Sequence, residues 1–264
     1  MLRALAALSG RADAIVYCSA VARAQHQRIG FAASRAVVIP NAVDAEHFRP
    51  DAGARERLAA LCGIPEGSAI VGTVARVHPM KDHVAMVQAV ASLLAAGRDV
   101  HAVLIGAGQP DGPARTEAVR LGIADRVACL DARDDVAALV PGLDVYLQSS
   151  AWGEAFPLAV AEAMAAGVSC VVTDVGDCGE LVGPTGTVVP PRAPAAMAAA
   201  VDRWLEVGPE GRAAAGRAAR ARVADRFSFR GYIDAHEAVY AGAVAHRRGL
   251  AAGRASRRAP GQAA

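Results

Sequence analysis

The chain has 264 residues, a length that fits one large or two modest domains with a substantial buried core and excludes a mini-protein. Hydrophobic residues make up 53% of it and aromatic residues only 4%, since alanine supplies much of the apolar share. The formal net charge of +2 excludes a general electrostatic attraction to nucleic acid or to a membrane surface.

The start of the chain does not have the pattern of a targeting segment. Its short apolar run is followed by Arg11 and Asp13 before any clear cleavage site. No uncharged apolar stretch reaches the roughly 18–20 residues that cross a bilayer. The five cysteines, odd in number and without zinc-ligand or C-x-x-C spacing, favour a reduced protein: Cys18, Cys62, Cys129, Cys170 and Cys178. We therefore predict a cytoplasmic protein, with at most peripheral contact with the inner face of a membrane.

Residues 1–50 predict the remainder of a domain followed by a linker. Strands are expected at 12–19 and 35–40, with a helix at 20–30 between them. These few elements need neighbours, because strand edges without partners invite association. We expect either a second chain that completes this half or a longer sequence upstream. The segment IPNAVDAEHFRPD at 39–51 contains two prolines and marks the domain boundary.

Residues 51–228 predict an α/β domain with a doubly wound, parallel, Rossmann-like sheet. Val/Ile/Leu runs of strand length alternate with helix-periodic segments, as expected when helices cover both faces of a parallel sheet. Strands are expected at 69–75, 100–106, 126–130, 143–148, 169–173 and 187–189. Helices are expected at 54–61, 82–96, 113–121, 134–140, 157–166, 194–207 and 209–226. Ligands of such sheets bind beyond the carboxyl ends of the strands.

The end of the chain predicts one more helix, at 229–246, and a disordered basic tail at 247–264. The tail loses the helical period and collects five arginines: Arg247, Arg248, Arg254, Arg257 and Arg258. Glycine and proline interrupt the run, which favours a solvated end over an arm that binds membranes or nucleic acid.

The segment RVHPMKDH contains Lys81, the only lysine in the sequence, five residues after Arg76. Both lie in a predicted strand-to-helix loop, where backbone N–H groups and two cations would face one crevice. Such a loop suits a diphosphate, because a guanidinium forks onto two oxygens and an ammonium acts as a compact point charge. The structural alternative is a pair of surface cations at a helix start.

The segment WGEAFPLAVAEAMAAG at 152–167 separates two glutamates by seven residues. Glu154 is expected in a loop and Glu162 inside the following helix, with Pro157 in its first turn and Gly167 at its end. Small and apolar neighbours imply that Glu162 is at least partly buried. A buried carboxylate needs hydrogen-bond donors, and ribose or sugar hydroxyls would supply them. The alternative is a glutamate on a solvated helix face.

At these motifs the chain resembles a known family. ARVHPMKDH, LIGAG, LDVYLQSS, EAFPLAVAEAMAAG and VVTDVG, in that order, resemble the nucleotide-binding half of retaining glycosyltransferases of the GT4 type, which have the GT-B fold. The resemblance runs from about residue 12 to 245, and the E-x7-E pattern is its most specific element. Only a remnant of the N-terminal acceptor-binding domain, residues 1–50, is recognisable. Ala75 and Asp131 stand where the family often has glycine.

The resemblance implies a role for each motif. Arg76 and Lys81 would neutralise the diphosphate of a nucleotide sugar, and Lys81 would stabilise the charge that grows on the leaving group. Glu154 would bind hydroxyls of the transferred sugar and Glu162 the ribose. The remaining contacts with phosphate, sugar and base would come from Phe156, Pro157, Leu158, Gly106, Gly108, Leu130 and Asp135.

The expected activity is transfer of a hexosyl group with retention to an unidentified glycan, lipid or small-molecule acceptor, in polysaccharide or glycoconjugate synthesis. No cofactor or metal is expected, because the sequence lacks a D-x-D pair and the cations supply positive charge. No nucleic-acid partner is expected. Two alternatives stay open: a truncated, inactive module that binds a nucleotide sugar, and a sugar-nucleotide epimerase, which the E-x7-E pattern disfavours.

Overall fold

The structure is a computed structural model that describes the backbone of residues 2–258 and the side chains of residues 2–249. The chain divides into two units. One comprises Met1–Asn41 together with Phe229–Ala264, and the other is Ala42–Ser228. Among the described residues, no helix combines the length and the apolar character that a membrane crossing needs.

The first unit begins with four short elements. They are α1 (Leu2–Ser9), β1 (Ile15–Tyr17), α2 (Ala20–Arg28) and β2 (Ala36–Val38). The two strands pair in parallel, with Ile15 opposite Ala36. Ser19 caps α2, since its hydroxyl accepts a hydrogen bond from the Ala22 N–H at 3.0 Å. The predicted strands and the helix between them are present, whereas α1 was not predicted.

The second unit contains a six-stranded parallel sheet, as predicted. Its strands are β3 (Ala69–Val74), β4 (Val100–Ile105), β5 (Val127–Leu130), β6 (Val145–Gln148), β7 (Ser169–Thr173) and β8 (Thr187–Val189), in the spatial order β5-β4-β3-β6-β7-β8. The strand order changes direction between the neighbouring strands β3 and β6. Doubly wound sheets bind ligands at such a switch point.

Helices cover both faces of the sheet, and strands β4, β6 and β7 are therefore buried at every residue. In chain order they are α3 (Ala54–Cys62), α4 (His83–Ala95), α5 (Pro113–Arg120), α6 (Val136–Leu139), α7 (Leu158–Ala165), α8 (Cys178–Val182), α9 (Pro194–Glu206) and α10 (Gly208–Arg226). One core contains Leu58, Tyr146 and Met164, on the side of α3 and α7. The other contains Met86, Leu147 and Met197, on the side of α4 and α9. The short helix α8 was not predicted.

Local sequence fixes both ends of α7. The helix begins at Leu158, one residue later than predicted, so Pro157 is its N-cap residue and not part of the first turn. The helix ends before Gly167, whose φ of +79° is the left-handed conformation that glycine adopts without a steric penalty. Gly167 therefore ends the helix as predicted.

The last helix, α11, spans Phe229–Arg258 and corrects one prediction. The predicted disordered tail began at residue 247, but the chain is helical as far as Arg258. Alanine, arginine and leucine are strong helix formers, and they outweigh the glycines that argued for an earlier end. The remainder of the predicted tail lies outside the described residues.

Candidate functional site

The predicted site residues follow strands whose carboxyl ends share one edge of the sheet. Arg76 and Lys81 follow β3, Gly106 and Gly108 follow β4, and Glu154 follows β6. Because all six strands are parallel, the loops that contain these residues emerge side by side. The topology thus brings together segments that are far apart in the sequence.

The centre of the site is an ion pair between Lys81 and Glu154. The Lys81 Nζ donates to Glu154 Oε1 at 2.6 Å, across 73 residues of sequence. The side chains are only 22% and 7% exposed, so water screens this pair less than it screens a surface pair. Lys81 ends a short 3₁₀ turn, Pro79–Lys81, which places its side chain against the loop after β6. The ammonium has two further N–H donors for another ligand.

A set of hydrogen bonds holds the Glu154 loop in place. The Ser150 hydroxyl donates to Glu154 Oε1 at 2.6 Å, and the Ser149 hydroxyl donates to the Lys81 carbonyl at 2.8 Å. Gly176, with φ +63°, packs so closely that a Cβ there would lie 2.2 Å from the Glu154 carbonyl oxygen. Ser149, Ser150 and Gly176 were not predicted as site residues, because no local pattern distinguishes them from ordinary loop residues.

Arg76 lies in the exposed part of the loop after β3. Its guanidinium makes no ion pair or hydrogen bond within the described part of the chain, whereas half-buried arginines of the sheet domain, such as Arg55 and Arg212, bond to carboxylates. An unpaired guanidinium beside the Lys81 loop can bind an anion without breaking an existing contact.

Glu162 lies in the second turn of α7 and is half-buried, as predicted. Burial raises the pKa of its carboxyl group, and His47 opposes this effect. Its side chain makes no hydrogen bond to any residue that the structure describes. Burial, with a smaller contribution from Glu162, also raises the pKa of Tyr146, whose hydroxyl bonds to the backbone of Val74 near the end of β3. Glu162 is therefore a partly desolvated carboxylate that lacks donors.

The segment Phe156–Leu158 joins Glu154 to α7. The Phe156 ring is buried and packs edge-on against Phe227 with ring centroids 5.3 Å apart, so this side chain belongs to the core. Pro157 has no N–H, and no side chain caps the helix start at Leu158. Backbone N–H groups at the helix start are the groups that this segment can offer an anion.

The glycines after β4 are placed beside Arg76, but their N–H groups already have partners. Gly106 N–H donates to the Leu130 carbonyl at 3.0 Å, and Gly108 N–H donates to Asp131 Oδ1 at 3.1 Å. A Cβ on Gly106 would lie 2.2 Å from the Ala75 carbonyl oxygen. These glycines thus permit close approach of the two loops and do not offer free donors.

The loop after β5 contributes less than expected. Leu130 is the last residue of β5 and its side chain packs against the core. The carboxylate of Asp135 accepts two hydrogen bonds from Arg133, both of 2.7 Å, on an exposed surface. Asp135 is therefore engaged by a neighbour two residues away.

His83 is a buried residue at the start of α4, two positions after Lys81. Burial, reinforced by the Lys81 charge, lowers its pKa to about 4, which keeps its ring neutral at pH 7. Gln109 Nε2 lies 3.3 Å from its ring nitrogens and donates to the Ala75 carbonyl at 2.9 Å. Gln109 thus links the loops after β3 and β4.

Within the described residues, no group of three or more histidine, cysteine, aspartate or glutamate side chains could hold a metal ion. The five cysteines are all free thiols, and burial raises the pKa of Cys170 and Cys178. The absence of a metal requirement stays a prediction.

The sequence model of the family described as "Glycosyl transferases group 1" matches residues 55–222. Among curated relatives, a 2-deoxystreptamine glucosyltransferase from Streptomyces kanamyceticus is 34% identical over 206 residues, which are 74% of this chain and 52% of the relative. A D-inositol 3-phosphate glycosyltransferase from Mycobacterium ulcerans is 33% identical over 217 residues, 80% of this chain and 46% of the relative. The chain thus spans about half the length of these relatives.

Among solved structures, Anabaena HepE in complex with UDP-glucose superposes with a TM-score of 0.80. The two chains are 23% identical, and the match covers 90% of this chain and 66% of that one. At this identity the likeness shows a shared fold, and it confirms the predicted architecture.

Proposed function

Because the chain belongs to the glycosyl transferases group 1 family, we propose that it is the donor-binding part of an enzyme that transfers a sugar, with retention, from a nucleoside diphosphate to an acceptor. GT4-type chemistry and a role in polysaccharide or glycoconjugate synthesis are parts of this proposal. The cytoplasmic location stays a prediction.

The contact between Lys81 and Glu154 is the observation that carries the proposal. The cation expected at the diphosphate and the carboxylate expected at the sugar lie 2.6 Å apart, on loops after adjacent strands. A nucleotide sugar has its phosphates and its transferred sugar joined by one bond, so a single ligand can reach both groups. Lys81 keeps two N–H donors, and Glu154 keeps a second carboxylate oxygen.

We assign Arg76 and Lys81 to the diphosphate, Glu154 to sugar hydroxyls and Glu162 to the ribose. Arg76 has no partner among the residues that the structure describes. Glu162 is a half-buried carboxylate whose pKa burial raises, so two ribose hydroxyls would satisfy it. The N–H groups at the start of α7 add to the anion site. UDP-glucose in Anabaena HepE supports a nucleotide sugar as the ligand of this fold.

The charge on the two cations would lower the barrier to bond cleavage. The diphosphate gains negative charge as the glycosidic bond breaks, and positive groups fixed in place stabilise that state more than the ground state. Glu154 helps by holding Lys81 in position before the donor arrives.

Binding of nucleotide sugars tests the site. We expect isothermal titration with UDP-, GDP- and ADP-sugars to show saturable binding of at least one. Lys81→Ala and Glu162→Gln should each weaken that binding about 10-fold or more, or ~1.4 kcal/mol. The matched controls are Arg217→Ala, an exposed cation on α10, and Glu66→Gln, an exposed carboxylate that precedes β3 at the opposite edge of the sheet.

Unchanged affinity in Glu162→Gln would show that its assigned role is wrong, and unchanged affinity in both site variants would refute the site. Turnover separates an enzyme from a donor-binding module without activity, which the half-length match to the relatives keeps as an alternative. An active enzyme should release the nucleoside diphosphate. With retention, NMR should show that the first sugar product has the same anomeric configuration as the sugar in the donor. A module would bind without release, and an epimerase would convert the sugar while it stays on the nucleotide.

A further inference from the structure

A cavity of about 310 Å³ lies beside the proposed donor site and is not used by it. Its walls come from the 3₁₀ turn before α4, from the loop after β6 and from the segment before α9, and its lining includes Trp152 and Arg192. Cavities of roughly 300 Å³ and above hold small organic ligands. Nothing in the donor-site assignment accounts for this one.

Trp152 gives the cavity an aromatic surface. It is 45% exposed, although it is one of only two tryptophans in the sequence. The Arg192 guanidinium carbon lies 5.5 Å from the centre of its ring, a cation–π contact that favours this position of the indole. An exposed, held indole is a surface on which a flat apolar face can stack.

Polar groups surround this aromatic surface. Arg192 makes no ion pair or hydrogen bond among the described residues, and its N–H groups are therefore available to a ligand. Asp82 contributes a carboxylate to the lining. Gln88 donates its amide N–H to Glu117 Oε1 at 2.7 Å, which leaves its amide oxygen as an acceptor. Donors and acceptors around an indole match a molecule with one apolar face and hydroxyl groups at its edge, which is the chemistry of a pyranose ring.

The backbone at two lining residues is unusual. Asp82 and Arg192, with φ of +47° and +57°, are the only non-glycine residues with positive φ in the described part of the chain. Side chains other than glycine adopt this conformation at an energetic cost, and such residues concentrate at ligand sites. Both residues line the cavity.

From this geometry we propose that the cavity binds a saccharide ring of the acceptor, stacked on Trp152 and hydrogen-bonded by Arg192, Asp82 and Gln88. The assignment to the acceptor rests on the proposed function, while the saccharide site itself does not. The Lys81–Glu154 pair and the cavity share a wall, since Pro79 and Asp82 flank Lys81 and Trp152 precedes Glu154 by two residues. Neither Lys81 nor Glu154 lines the cavity, so an acceptor sugar bound there would use a surface that the donor-site assignment leaves free.

The test uses Trp152 as its own reporter. The variant Trp204→Phe removes the other indole, which is partly buried and bonded to Thr187, so that fluorescence reports on Trp152 alone. This protein is titrated with the methyl α-glycosides of glucose, galactose, mannose and N-acetylglucosamine, up to about 50 mM, a range that includes dissociation constants weaker than 1 mM. We expect a saturable change in emission with at least one of them. No saturable change with any glycoside overturns the proposal.

Ligand-observed NMR with the responsive glycoside then locates the site. Trp152→Ala should weaken binding at least 10-fold, while Trp152→Phe, which keeps an aromatic face, should stay within about 3-fold of the parent. Arg192→Gly should weaken binding several-fold without disturbing the fold, because glycine adopts positive φ readily. Arg217→Ala is the control. Equal affinity in Trp152→Ala and the parent would place the sugar elsewhere and overturn the proposal.

A competition experiment separates the acceptor site from the donor site. Saturating nucleoside diphosphate sugar should leave the affinity for the glycoside within about 3-fold, whereas displacement of the glycoside would make the cavity part of the donor site and overturn the acceptor assignment. Trp152→Ala should bind nucleotide sugars like the parent. Glycoside binding without any nucleotide binding would refute the proposed function alone, and nucleotide binding without glycoside binding would refute this inference alone.

Discussion

The single lysine of the sequence lies where an arginine would serve less well. Lys81 contacts Glu154 at 2.6 Å in a confined, largely buried place, and its compact ammonium directs three donors around one point. A guanidinium would spread its donors over a plane and would need more room. Among the described residues, loss of Lys81 would leave the buried Glu154 with the Ser150 hydroxyl as its one side-chain partner, which costs about 1–3 kcal/mol of stability in addition to the loss of donor affinity.

His83 predicts a pH dependence of stability. Its pKa is lowered from the ordinary 6.5 to about 4, so that between these values the unfolded chain takes up a proton that the folded chain does not. Titration of His83 should therefore leave the free energy of unfolding unchanged above pH 6.5 and lower it as the pH drops from 6.5 toward 4. At its steepest the His83 contribution is about 1.4 kcal/mol per pH unit.

Urea titrations between pH 4 and 8 measure this slope. His83→Gln should be less stable at pH 8 but should lose stability less steeply on acidification than the parent. Parallel curves for His83→Gln and the parent would contradict the assignment of the slope to His83.

At the scale of elements, the site depends on how closely the loops approach one another. Gly176, in the loop after β7, packs against the backbone of Glu154, and Gly106, in the loop after β4, packs against the backbone of Ala75. Both glycines have positive φ, and a side chain at either position would collide with backbone atoms that cannot move aside cheaply. These glycines set the spacing of the loops that hold Glu154 and Arg76.

Gly176→Ala should disturb both the fold and the site. The new Cβ would lie 2.2 Å from the Glu154 carbonyl oxygen, so the Glu154 loop must shift. Gly122→Ala is a matched control, since Gly122 has φ +71° and nothing within 4 Å of its would-be Cβ. We expect the control to cost about 1 kcal/mol from backbone strain alone, and Gly176→Ala to cost ~2 kcal/mol more.

Thermal unfolding gives the stability difference, and nucleotide titration gives the effect on the site. Gly176→Ala should weaken nucleotide binding several-fold, whereas Gly122→Ala should leave it unchanged. Similar stability and affinity in the two variants would mean that the close approach of Gly176 to Glu154 has no part in shaping the site.

At the scale of the whole molecule, both hydrophobic cores belong to one unit. Every buried residue of the two core clusters lies between Val43 and Phe227. The ends of this unit are joined, because Val43 N–H donates to the Phe227 carbonyl at 3.0 Å. A fragment of residues 42–228 should therefore fold alone, with a cooperative urea transition followed by circular dichroism. A gradual, non-cooperative transition would show that the remaining residues are needed.

The sheet was predictable because its strands have an unambiguous pattern. Mostly apolar runs of strand length at β3, β4 and β7 favour strands covered on both faces, and their alternation with helical periods predicts the parallel order. Short elements without strong periodicity escaped this reasoning, as α1 and α8 did. Glycine near the end of α11 predicts an earlier stop, but the surrounding helix formers extend the helix to Arg258.

The site was predictable only where residue type is distinctive. Lys81 stands out as a single lysine, and Glu162 stands out as a charge among alanines, so both could be chosen from the sequence. The contact between Lys81 and Glu154 could not be predicted, because it depends on which strands are neighbours. The cavity beside Trp152 and Arg192 likewise joins residues 40 positions apart and leaves no local pattern.

The arrangement of loops on a shared edge also bears on how proteins of this architecture diversify. Parallel strands let mutation reshape one loop while the hydrophobic layers beneath stay unaltered, which favours new substrate preferences over new folds. The Lys81–Glu154 contact restricts that freedom, since it ties two loops from distant parts of the gene. A related protein with a changed loop on either side must keep the Lys81–Glu154 ion pair or replace both residues together.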